Sequence, residues 1–179
     1  MTNEFTTVFE ISLGSNGVVK EDVFRLVIGS AVLVFGVYGI IRCIRTQSSK
    51  AVIHSAFAVV FSIVWLAMHM PFVVRDFTSL RHYLHVYRSG QCESAVGFVH
   101  VTGRQPYTGH AAGDKITVDG HEFQVDYFHW TLGYNKTIAR GGVLFEKAYV
   151  RLHHHDGVIL KVEVGSKETR AQALSGGSS

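Results

Sequence analysis

Between Leu26 and Ile41 the chain reads LVIGSAVLVFGVYGII, without a charged residue. With Val23 and Phe24 added, and Arg25 able to send its guanidinium to an interface, the run reaches about 19 residues, and a bilayer span needs roughly 20 at 1.5 Å each. A second run, Ala51 to Val74, is longer and carries only His54 and His69 as ionisable groups. The pair predicts two transmembrane helices. The competing reading is a buried helical hairpin of a soluble protein. It fits poorly, because two such runs between Val23 and Val74 would swamp a chain of 179 residues.

The connection from Arg42 to Lys50 is short and basic, so the helices form a tight antiparallel hairpin with both flanks on one side. The loop offers Arg42, Arg45 and Lys50; the flanks offer Lys20, Arg25, Arg75, Arg81 and Arg88. Counting Lys and Arg near span ends favours the flanks inside, while the density of the short loop argues the reverse. The reading taken is a cytoplasmic soluble domain. No cleavable signal peptide is expected, since Glu4 and Glu10 make the N-terminus acidic and the first apolar run starts late. Gly29, Ser30, Gly36 and Gly39 place small residues along the first helix. They serve either an assembly of several chains or the hairpin's own contact. In such an assembly His54 and His69 could line a pore; otherwise they lie near an interface or hydrogen-bond within the bundle.

The rest of the composition narrows the classes. Hydrophobic residues make up 47% and charged residues 17%, against about 25% charged in a soluble domain. A net charge of +3 is too small for a nucleic-acid coat protein, and no DNA partner is expected. Cys43 and Cys92 stand far apart and form neither a disulfide framework nor a zinc site. The 11 His are the unusual feature. Beyond Pro71, which could kink the second span, Phe77, Leu80, Leu84 and Tyr87 recur at helical spacing and predict an amphipathic stalk ended by Ser89-Gly90.

From Cys92 the period changes to two. Strands are expected over Glu93–Thr102, Lys115–Val118, His121–Phe128, Lys147–His153 and Val158–Val164, with hairpin turns at Asp119-Gly120 and Asp156-Gly157. The fold class is therefore α+β: a two-helix transmembrane hairpin followed by a small antiparallel β-domain of about five strands, a barrel or a strongly bent sheet. The divisions are 1–22, an N-terminal segment; 23–74, the hairpin; 75–90, the stalk; 91–166, the β-domain; and 167–179, a disordered tail.

Two loops, Gly103–Asp114 and His129–Glu146, are long for so small a domain, and long loops are usually functional or disordered. Residues 91–126 carry Arg104 and Lys115 against Glu93, Asp114, Asp119, Glu122 and Asp126. Residues 136–151 carry Lys136, Arg140, Lys147 and Arg151 against Glu146 alone. Cations beside Gly141-Gly142 and aromatic rings suit a phosphate-bearing ligand with a stackable base. An ordinary solvated face with core aromatics would give the same pattern residue by residue. The candidate ligand site is Trp130, Tyr134, Asn135, Lys136, Arg140, Lys147 and Arg151.

Ala95 to Val164 resembles a widespread bacterial β-domain on Gly97-Phe98-Val99, Pro106, Phe123-Gln124-Val125, Gly133 to Thr137, Gly141-Gly142 and Gly157 to Val164. Arg140 departs from that pattern, which has a histidine there. The layout, two N-terminal spans and one small soluble domain, resembles the membrane effectors of bacterial antiphage signalling of the type III CRISPR and CBASS kinds. That resemblance implies a homo-oligomer in the bacterial inner membrane. Its soluble domain would bind a cyclic nucleotide, and its helices would then compromise the bilayer in antiviral defence.

No HExxH, GxSxG, Walker or GxGxxG motif occurs. His153 and His155 share a strand face, with Asp156 adjacent, which would suit a divalent metal, but the triplet abuts a turn where exposed polar residues belong. The reading taken has no catalytic residue, no metal and no cofactor. Lys136, Arg140, Lys147 and Arg151 would pair with phosphates, and Trp130 or Tyr134 would stack on a base. The alternative is a membrane-anchored structural or interaction module without a small ligand, possible with its domain outside the cytoplasm.

Overall fold

One strand precedes two long helices, and six strands follow them. The computed structural model describes residues 4–13, 17–46, 49–108, 111–128, 131–166 and 169. In chain order these hold β1 (Phe5–Glu10), α1 (Gly17–Thr46), α2 (Ser49–Arg88), β2 (Glu93–Phe98), β3 (His100–Gly103), β4 (Asp114–Val118), β5 (His121–Val125), β6 (Tyr149–His155) and β7 (Val158–Gly165). The chain divides into two compact units, one of Asn16–Ser79 and one of Met1–Ser15 with Leu80–Ser179.

The β-unit has two antiparallel sheets, in the orders β1-β7-β6-β2 and β3-β4-β5. Neither closes on itself, so of the two forms expected from sequence, a barrel or a strongly bent sheet, the barrel is not seen among the described residues. The described strands number seven rather than about five, for two reasons. β1 adds an edge strand, with Phe5 opposite Gly165. The single strand expected over Glu93–Thr102 breaks at Val99, so that β2 lies in one sheet and β3 in the other. Val99 holds that corner by donating to Ala148 O at 2.8 Å and accepting from Lys147 N at 2.8 Å.

Both two-residue turns form as the sequence predicts. Asp119 and Gly120 have φ 51° and 78°, and Asp156 and Gly157 have φ 48° and 75°. Left-handed backbone at both central positions matches the right-handed twist of the flanking strands. The core gathers Ala95, Val150, Leu152 and Val162 from one sheet with Ile116, Val118, Phe123 and Val125 from the other. Each such fully buried aliphatic or phenyl side chain stabilises by about 1.5–3 kcal/mol.

The segment expected as an amphipathic stalk is helical and forms the end of α2. α2 continues through Pro71 to Arg88, and its end packs into the β-unit with Leu80, Leu84 and Val86 buried. Gly90, at φ 70°, takes the left-handed conformation that ends the helix, and Gln91 N donates to Val86 O at 3.1 Å.

The helical unit is built differently. A Cβ on Gly29 would stand 2.8 Å from Trp65 Cδ1, and one on Gly36 would stand 2.9 Å from Val59 Cγ2. One on Gly39 would collide with Ser55. These glycines therefore set the approach of α1 to α2, whereas Ser30 is exposed. Most large apolar side chains face outward, with Phe35 75% and Phe57 72% exposed. Val23–Arg45 and Val52–Arg88 are each long and apolar enough to cross a membrane.

Candidate functional site

The two long loops rest on a buried polar core. Asp114 and Gln105 are buried. Asp114 accepts from Gln105 N at 2.7 Å through Oδ1 and from Ile138 N at 2.6 Å through Oδ2. Gln105 Nε2 donates to Asp126 Oδ1 at 2.8 Å and to Ala111 O at 2.7 Å, while its Oε1 accepts from Tyr127 N. Buried carboxylates and amides are tolerable only when hydrogen-bonded. Here the partners are loop amides, so the network that satisfies the polar groups also pins both loops.

Arg140 lies on this base. It ends a single 3-10 turn, Ile138–Arg140. Its guanidinium carbon is 3.7 Å from the Tyr127 ring centroid, 4.8 Å from Tyr107 and 5.0 Å from Phe128. Its Nη2 donates to Tyr107 O at 3.1 Å. The rings attract the cation and fix its plane. A guanidinium has five N–H donors, and that carbonyl is the one acceptor it meets among the described residues. The guanidinium is thus held by three rings and one carbonyl of its own unit.

Gly141-Gly142 serves the turn rather than a ligand. Gly141 N donates to Ile138 O and Gly142 N to Thr137 O, at 3.1 and 2.9 Å. Gly141 has φ 79°, and a Cβ on Gly142 would collide with Lys136 O. The backbone donors expected for a phosphate are therefore already engaged.

The other site residues predicted from sequence scatter. Lys136 is exposed on the same loop, and Asn135 is half-buried. Lys147 is exposed, with φ 63° in the tight connection before β6. Tyr134 is buried in the core, edge-on to Phe9 at 5.4 Å, and its hydroxyl accepts from Val143 N at 2.9 Å. Burial raises its pKa, and its ring is enclosed where a base would have to stack. Arg151 lies over the Phe5 ring at 4.2 Å and 3.6 Å from Glu163. Trp130 lies outside the described residues. Of the four cations, Lys136 and Lys147 are exposed, Arg140 and Arg151 are half-exposed, and among the described residues Arg151 alone of the four is paired with an acid, Glu163.

The histidine triplet splits by strand parity. His153 and His155 face the end of α2: His153 meets the Tyr87 ring and His155 meets His82 and Tyr83. Glu163, opposite Arg151 in the register, collects Lys161 at 2.9 Å and His153 at 3.3 Å. Burial opposes ionisation of Glu163, but the hydrogen bonds from Lys161 and His153 outweigh it and hold its pKa below the usual carboxylate range. His154 turns the other way, into the core, edge-on to Phe123 at 4.9 Å. Its pKa is lowered by burial first and by His121 second. Sequence reasoning weighed only the outer pair, and took no metal there; Val150, Leu152 and His154 at alternate positions were the signal for an inward histidine. Comparison with known protein families, characterised proteins and solved structures finds no match to this chain.

Proposed function

We propose that this chain is a two-span membrane protein whose β-unit binds an anionic small molecule at the loop around Arg140. The observation that carries the membrane part is the outward-facing apolar surface of α1 and α2, from Phe24 and Phe35 to Phe57 and Phe61. Bare apolar area on that scale marks contact with lipid or with another protein. The pairing of β1 with β7 adds to it, since a strand before α1 and a strand after α2 in one sheet require an even number of crossings.

The ligand part is supported by the stacked, half-exposed guanidinium of Arg140 and the neighbouring exposed Lys136. The effector resemblance supplies the ligand class, a cyclic oligonucleotide, and the setting: an oligomer in a bacterial inner membrane, its β-unit in the cytoplasm, perturbing the bilayer in antiviral defence. In this reading the chain is a sensor and effector, not an enzyme. α2 supplies residues to both units, so a ligand that favours one arrangement of the β-unit would bias the helices by its differential affinity.

The test is titration of the full chain in nanodiscs with cyclic di-, tri- and tetranucleotides. Saturable binding should weaken about tenfold or more on Arg140→Ala, the size of a lost charge-assisted hydrogen bond, and ligand should release dye from proteoliposomes. Absence of binding, or binding indifferent to both Arg140→Ala and Lys136→Ala, removes the ligand site. The anchored interaction module would then stand, a reading favoured by the bond from Arg140 to Tyr107 O, which joins one loop to the other.

A further inference from the structure

Three inward-facing stripes of the β-unit change character at one end. On β2 the buried Ala95 is followed two residues outward by Glu93; on β6, Val150 and Leu152 are followed by His154; on β5, Val125 and Phe123 are followed by His121. Strand residues two apart share a face. Each stripe therefore runs apolar through the core and ends in a metal-ligating side chain. Glu93 and His154 are also direct cross-strand partners in one sheet, while His121 belongs to the other, just past the Asp119-Gly120 turn. The result is a convergence: one ligand atom from each of Glu93, His121 and His154 lies within 4.8 Å of the others. The two imidazole rings are 5.0 Å apart.

One feature of this cluster is costly unless something binds there. His154 is only 5% exposed, and its buried Nε2 has no hydrogen-bond partner among the described residues. A buried polar nitrogen without a partner costs about 1–3 kcal/mol. Phe123 lies edge-on to the ring, with centroids 4.9 Å apart. Glu93 and His121 are exposed. Tetrahedral zinc at bond lengths near 2.1 Å needs donors roughly 3.4 Å apart, so the exposed Glu93 and His121 would turn inward to close on the ion.

We propose that Glu93, His121 and His154 form a site for a divalent transition metal of the zinc class. Two imidazole nitrogens and one carboxylate oxygen suit zinc or its spectroscopic substitute cobalt and are too nitrogen-rich for calcium or magnesium. Three protein ligands leave a coordination position open to water or to a partner's side chain. Because the ligands come from both sheets, the ion would staple β2 and β6 to β5 across the mouth of the core. Binding would then stabilise the folded state by mass action.

The experiment uses the full chain in detergent, without a histidine tag, and the metal alone as probe. One equivalent of zinc should bind in competition with a chromophoric chelator. Cobalt should give visible absorption of tetrahedral intensity, and zinc should raise the unfolding temperature of the β-unit. Glu93→Gln and His121→Ala change exposed residues and leave the core intact; each should weaken zinc by about tenfold or more. His155→Ala, on the opposite sheet face beside His82, should leave affinity unchanged. Three outcomes overturn the proposal: no zinc bound at equimolar metal, wild-type affinity in both Glu93→Gln and His121→Ala, or loss of binding in His155→Ala instead.

Discussion

The two units of this chain spend their apolar residues in opposite ways. In the β-unit Leu152, Leu160, Val150 and Val162 are fully enclosed while His, Lys and Glu occupy the outer positions. In the helical unit the enclosed contacts are small, with Gly29, Gly36 and Gly39 against Trp65, Val59 and Ser55, while Phe35, Ile53 and Phe57 face outward. Burial of apolar area drives folding only where the surroundings are water. A unit that shows its phenyl rings and hides its glycines fits the proposed membrane setting, where close packing takes over.

The largest effect that could break this contrast is a cavity. Leu152→Ala should destabilise the β-unit by about 2–5 kcal/mol, read by chemical unfolding of the protein in detergent. Phe57→Ala, which deletes a larger side chain, should move stability by no more than about 0.5 kcal/mol, as expected of an outward-facing position. Equal losses from the two substitutions would mean that the exposed face of α2 is buried against protein in the functional state.

A smaller effect sharpens the role of the glycines. Gly36→Leu drives a side chain into Val59 and should cost the helical pair about 1–3 kcal/mol. Ser30→Leu should be silent in the monomer. Should Ser30→Leu instead abolish an oligomer while Gly36→Leu leaves the hairpin intact, the small residues would serve assembly between chains.

The smallest effect tests the polar outer face of the β-unit. Because the pKa of Glu163 is depressed in the folded state, its contribution is present above the unfolded carboxylate range. It is lost as pH falls from the unfolded carboxylate range through the lower folded value. Stability should therefore fall on the acid side, and Glu163→Gln should flatten that limb without changing the slope above neutral pH. An unchanged acid limb would show that Lys161 and His153 do not hold the carboxylate.

Local signals were readable in the sequence and distant pairings were not. The turns at Asp119-Gly120 and Asp156-Gly157 appeared where two left-handed residues interrupt alternating strands, because turn chemistry is contained in two residues. β1 went unread: Phe5-Thr-Thr-Val-Phe-Glu10 carries strand formers, but its partner lies beyond both helices and β6. The break at Val99 also escaped, since period two continues through it and only the hydrogen bonds to Ala148 and Lys147 reveal the corner. At the ligand loop, residue types suggested free cations, yet the rings that hold Arg140 come from Tyr107, Tyr127 and Phe128, and the acid facing Arg151 comes from β7. Pairing by charge sign along the sequence cannot find such partners.

The edge pairing of β1 with β7 also has a consequence for biosynthesis. β1 is made before either helix, and its only sheet neighbour is made after every other strand. If the hairpin enters a bilayer as proposed, β1 waits on the side where it was made, its ladder donors and acceptors satisfied by water. The sheet closes over it only when β7 emerges. The order of translation thus makes completion of the β-unit a late event, and in the proposed two-span arrangement a hairpin inserted with one crossing instead of two would leave β1 and β7 on opposite sides and the sheet unfinished.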